Sequence, residues 1–220
     1  MKKILLVLRH TEEEFAHDVK YIGIIKALQN QKFDVYYTNV NGNEAVLIHD
    51  DERKIIKCDM GIGVNRNDRN MVLYKAISKL FESDFTCDYA YIRAIPACWG
   101  FVKMVKGMRS NGTEIIVEIP TYPAKKEQKS DKRLSRKFIY AYMNFFEKLS
   151  AKHISLYALI GEQDDQYLGR PAINIDNGIN IENIDVRVPK GNPEEIHILC
   201  LAKMARWHGY DRIIKGLYEY

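Results

Sequence analysis

The chain has 220 residues, 46% of them hydrophobic, and a formal net charge of +4. That length holds one large domain or one and a fraction, and that apolar share excludes a disordered chain. So mild a positive charge gives no argument for nucleic acid. Cys58, Cys87, Cys98 and Cys200 stand singly, without CxxC spacing, as reduced thiols do and as a disulfide frame or zinc site does not. The run ILLVL after Met1-Lys2-Lys3 is too short for an export signal and ends at Arg9-His10. No stretch approaches the roughly 20 apolar residues of a spanning helix. The expected location is the cytoplasm, with at most a peripheral contact at the inner face of a membrane.

Residues 4–8 form a continuous apolar run, as a buried parallel strand does. Val19, Ile22, Ile25 and Leu28 recur at helical spacing up to Asn30, and residues 33–37 predict a second strand. No GxGxxG follows the first strand, which counts against a dinucleotide-binding dehydrogenase. Residues 45–49 and 54–58 flank Asp50-Asp51-Glu52 and predict a hairpin. Met71, Leu73, Tyr74, Ile77 and Leu80 mark a helix, residues 89–92 a strand ending at Arg93, and Phe101, Val102, Val105 and Met108 the next helix. Asn111-Gly112 caps it, residues 114–119 predict a strand, and a proline-bounded loop IPTYPAKKE follows.

Residues 125–137 hold seven lysines and arginines and run into a helix carrying Phe138, Tyr142, Phe145, Phe146 and Leu149. A basic stretch feeding an aromatic helix fits a contact with anionic lipid head groups; the plainer alternative is a solvated face on a core helix. Residues 154–160 and 172–175 predict two more strands, and residues 181–195, with two prolines and a glycine, a linker. Alternating strands and helices predict an α/β class: a doubly wound, mostly parallel, Rossmann-like sheet over residues 1–180. The chain then finishes with strand, basic loop and amphipathic helix over residues 196–220, the expected opening of an incomplete second α/β domain.

Four stretches, in order, carry a resemblance: VKYIGIIKALQNQKFDVYYTN, YIRAIPACWGFVKMVKGMRSNGTEIIVEIPTYPAKKE, INIDNGINIENI and LAKMARWHGYDRII. Together they resemble GT-B glycosyltransferases of the family 4 type, and IPTYP and Trp-His-Gly-x-Asp-Arg resemble its capsular and exopolysaccharide branch. The resemblance implies an acceptor-side domain, a hinge at Asn177 and Gly178, and the start of a donor domain. In that domain Lys203 and His208 stand where the family binds the donor diphosphate. His208 replaces a lysine, and HTEEEFAHD replaces the family's Gly-Gly loop.

The implied chemistry is transfer of a sugar from a nucleotide-sugar donor to a glycan or lipid-linked acceptor, with retention. The donor phosphate helps to take the acceptor proton. The family often places a histidine where this chain has Pro120-Thr121. Thr121, Tyr122 and Glu127 are the polar groups left for catalysis there, and Arg9, His10 and Arg93, each ending a strand, are expected to line the acceptor-side crevice. His17 and Glu118 are weaker candidates, Glu118 as a strand-edge charge. No Asp-x-Asp occurs, so neither a metal nor another cofactor is expected beyond the nucleotide-sugar co-substrate. Residues 1–220 alone are expected to be inactive. Two other functions fit the same pattern: a non-catalytic α/β binding module, and a nucleotide-sugar epimerase of the same architecture.

Overall fold

The apolar runs read from the sequence become the inner strands of one sheet. The computed structural model describes residues 1–16, 18–58, 66–122, 133–178 and 209–219. The chain divides into two compact units, Met1–Glu182 and Asn183–Tyr220. In the first, β1 (Lys3–Val7), β2 (Asp34–Asn41), β5 (Tyr89–Arg93), β6 (Glu114–Tyr122), β7 (Leu156–Gly161) and β9 (Arg170–Asn174) are parallel neighbours. Antiparallel strands β3 (Glu44–His49) and β4 (Glu52–Lys57) extend one side, and β8 (Gln166–Tyr167) the other. The order is β4-β3-β2-β1-β5-β6-β7-β9-β8. The fold is therefore α/β with a mixed, mostly parallel nine-stranded sheet.

Period-two alternation sorts the inner strands between two faces. Leu5, Val7, Ala90, Ile92, Ile115, Val117 and Ile119 join the larger core, with α3 (Arg66–Glu82) and α4 (Trp99–Ser110) packed on it. Helix α5 (Leu134–Ala151) packs beside α4 and reaches that core through Phe146. Ile4, Leu6 and Leu8 face the other way, onto a smaller core with Tyr21, Ile25 and Val35, covered by α1 (Glu12–Ala16) and α2 (Val19–Asn30). Asp18 starts α2 by accepting a hydrogen bond from the Tyr21 amide. Residues 12–16 make the short helix α1 because Thr11 and Glu14 cap each other reciprocally.

Strand β2 runs four residues past the predicted end, since its second half pairs with β3 across a turn at Gly42. The two-residue strand β8 has no apolar run to announce it. In the second unit, the described residues form α6 (Tyr210–Glu219), opened by Gly209 in the left-handed region.

Candidate functional site

Among the described residues, two cavities flank the sheet. On the α2 face, one of about 640 Å³ is bordered by Ile24, Phe33, Tyr89, Tyr91 and Ile116, with Glu118 at its wall. Glu118 is fully buried in mid-strand, which corrects its reading as a strand-edge charge. Its carboxylate accepts hydrogen bonds from Lys20 Nζ at 2.8 Å and the Tyr91 hydroxyl at 2.5 Å, with Arg93 Nε 3.9 Å away. Lys20 also donates to Asn177 Oδ1 at 3.2 Å, so this ion pair fixes the predicted hinge residue. Gly178 borders the same cavity.

Two of the predicted crevice residues belong to this face. His10 Nε2 lies 3.2 Å from Asp18, its ring 5.5 Å from that of Tyr21, and the Arg93 guanidinium faces Tyr21 at 6.0 Å. Burial lowers the His10 pKa, and the charges of Asp18 and Glu14 only partly oppose it. Burial also raises the Tyr21 hydroxyl to about 12, helped by Glu118. These groups spend their charge on one another.

The second cavity, about 610 Å³, opens on the α4–α5 face at the carboxyl ends of β1, β5 and β6. Here lie Arg9, Thr121 and Tyr122, three of the predicted residues. Ile95, Phe101, Val117, Ile119 and Ile154 give an apolar floor, and α5 supplies Met143, Asn144 and Glu147 as a wall. The β6 end is re-aimed by a bulge: Ile119 pairs with Leu159, but Tyr122 pairs with Gly161, so β6 carries one residue more. Pro120, which has no amide proton to offer a ladder, sits inside that irregular stretch. Gly161 has φ +130, and a Cβ there would stand 2.3 Å from the Tyr122 carbonyl oxygen. Only glycine lets the two strand ends approach so closely.

Two tyrosine–carboxylate pairs border the opening. The Tyr122 hydroxyl donates to Asp164 Oδ2 at 2.8 Å, and the Tyr167 hydroxyl to Glu147 Oε1 at 2.9 Å. The bond from Tyr122 holds the Asp164 pKa below its ordinary value. Burial first, then the Glu147 charge, push the Tyr157 and Tyr167 hydroxyls well above the usual phenol. The Tyr157 hydroxyl is buried with no hydrogen-bond partner among the described residues. An apolar floor under carboxyl, hydroxyl and carboxamide groups suits a ligand with apolar faces and many hydroxyl groups.

No protein-family model matches this chain, and no curated protein or solved structure matches it either.

Glu147, Asp164, Asn144 and Gln166 went unread in the sequence. Asp164 lies in the acidic turn Glu162-Gln163-Asp164-Asp165 after a strand's carboxyl end, which was a usable signal. Glu147 is the one acidic residue of α5, in a stripe with Met143 and Ser150. Glu127, Lys203, His208 and His17 lie outside the described residues. Among the described residues, no cluster of histidine, cysteine, aspartate or glutamate is placed to hold a metal ion.

Proposed function

We propose that this chain forms the acceptor side of a nucleotide-sugar-dependent glycosyltransferase of the GT-B, family 4 kind, working in polysaccharide assembly. The observation that supports it is the cavity at the carboxyl ends of β1, β5 and β6, with its two tyrosine–carboxylate pairs. Binding at that end is the general rule for open parallel sheets. In this reading Asp164 and Glu147 accept hydrogen bonds from the hydroxyls of a glycan, Thr121 and Tyr122 orient it, and Glu127, which follows in the sequence, is a further candidate for catalysis. An acceptor oxygen then bonds to the anomeric carbon of the donor as the bond to the nucleoside diphosphate breaks, and its proton passes to the donor phosphate. In the same reading Lys203 and His208 bind the donor diphosphate, and no metal takes part.

Two charge-assisted contacts from Lys203 and His208 are worth about 1.5–3 kcal/mol each. Association costs roughly 4–15 kcal/mol in lost freedom. Residues 1–220 should therefore bind glycosides and not nucleotide sugars. Saturation-transfer NMR with alkyl glycosides and with uridine-diphosphate sugars tests this. The expected result is transfer to glycoside ring protons that disappears in Asp164→Ala. Micromolar nucleotide-sugar affinity in this chain, or no glycoside contact, overturns the reading.

A further inference from the structure

Helix α5 is built inside out. An amphipathic helix normally turns its apolar stripe to the core, but here Leu134, Phe138, Tyr142 and Phe145 follow one another at three- and four-residue spacing on the solvent side. Leu134 is 71% exposed and Phe138 76%, and Ile139 lies exposed beside them. The cavity takes Met143, Asn144, Glu147 and Ser150, which the helical period places on the opposite side. The apolar stripe runs about 16 Å along the axis at 1.5 Å per residue.

Charge says what covers it. Arg136, Lys137 and Lys148 are the basic residues of α5, and its only acidic residue, Glu147, is turned inward to Tyr167. Residues 125–133 add five basic residues against two acidic ones. No described helix is long and apolar enough to cross a membrane. An outward apolar stripe with Lys137 and Lys148 along one edge and no carboxylate on it matches an anionic lipid surface. An acidic protein partner would need cations within the patch, where this stripe is hydrocarbon.

We propose that α5 lies in the plane of an anionic membrane, with Leu134, Phe138, Tyr142 and Phe145 set among the head groups and upper acyl chains. The cavity on its far side then stands within about one helix diameter, roughly 10 Å, of that surface. The proposal stands on α5 alone, so it survives or fails separately from the glycosyltransferase reading.

Sedimentation of the 220-residue chain with phosphatidylglycerol–phosphatidylcholine vesicles, against pure phosphatidylcholine, tests it. Wild type should pellet with the anionic vesicles only. F138S/F145S should stay in the supernatant with its thermal unfolding unchanged, because both side chains are exposed. Should that pair fail to fold, L134S/I139S takes its place. Neutralising Lys137 and Lys148 to Gln should weaken partition about fivefold for each charge removed. Equal pelleting of F138S/F145S, or equal binding to neutral vesicles, overturns the proposal. A lipid-free dimer that F138S/F145S dissociates also overturns it, by assigning the stripe to a second copy.

Discussion

Replacing Gly161 by alanine puts the packing between β6 and β7 to its most direct test. The new Cβ would lie 2.3 Å from the Tyr122 carbonyl oxygen, with the Tyr122 nitrogen and carbonyl carbon both at 3.3 Å. Ordinary C···O contact is about 3.3 Å or more, so the overlap is roughly 1 Å. The obstacle is backbone, and no side-chain rotation relieves it. At φ +130 the alanine also enters a region that suits glycine almost alone, at about 1–3 kcal/mol. Moving the strand end apart gives up the bond from the Glu162 amide to the Tyr122 oxygen, now 3.1 Å, worth about 0.5–1.5 kcal/mol. Together the loss is about 2–4 kcal/mol. At about 2–4 °C per kcal/mol for a chain of this size, the melting temperature should fall by roughly 4–16 °C. Urea unfolding measures it, with Gly107→Ala as the control. Gly107 lies inside α4 with open space where a Cβ would go, so alanine there should stabilise by about 0.5–1 kcal/mol. If Gly161→Ala unfolds within about 0.5 kcal/mol of wild type, within the range of an ordinary surface change, the close approach of the two strands is wrong.

Glu118→Ala should cost about 3 kcal/mol in urea unfolding, the low end for breaking a buried ion pair, because Lys20 can turn toward solvent. Glu118→Gln keeps the shape and a partner for Tyr91 and should cost less; equal losses would mean that the lost charge accounts for the whole effect. His10 makes stability depend on pH. Its folded pKa is lowered, so the unfolded chain binds the extra proton first as pH falls below about 6.5. The His10 contribution is therefore full above that pH and is lost as pH falls through the folded value. His10→Asn should flatten this part of the profile while His153, also lowered by burial, keeps its share. A profile unchanged in His10→Asn would refute the assignment.

How much of this was legible in the chain depended on how local each cause was. The parallel strands announced themselves because they are buried on both faces and so read as unbroken apolar runs, as in residues 4–8. The β3–β4 hairpin was equally plain from its acidic turn, where Asp50 takes φ +49. The site was harder. Arg9 and His10 are adjacent at a strand end, and the pleat sends them to opposite faces, so one joins the cavity and the other pairs with Asp18. That separation was open to anyone counting in twos from Leu5. The bulge that aims Tyr122 at Asp164 was not, since it depends on how β6 meets β7, nearly forty residues later. Glu147 was hidden for a related reason: only the tertiary packing of α5 decides which of its stripes turns inward.

The borders of the sheet carry a consequence for how copies of the chain meet. At one border β4 exposes Glu52, Arg53, Lys54 and Lys57, with Arg53 held by Glu12 and Lys57 3.7 Å from Glu44. At the other, β8 is two residues long and turns back at once through Leu168 and Gly169, both with positive φ. A strand seeking a free ladder would find a charged fringe on one side and almost no ladder on the other. Crowded or refolding chains are thus denied the route by which sheets template fibres. Encounters between copies fall instead to side-chain surfaces, where a contact can form and release without any backbone exchange.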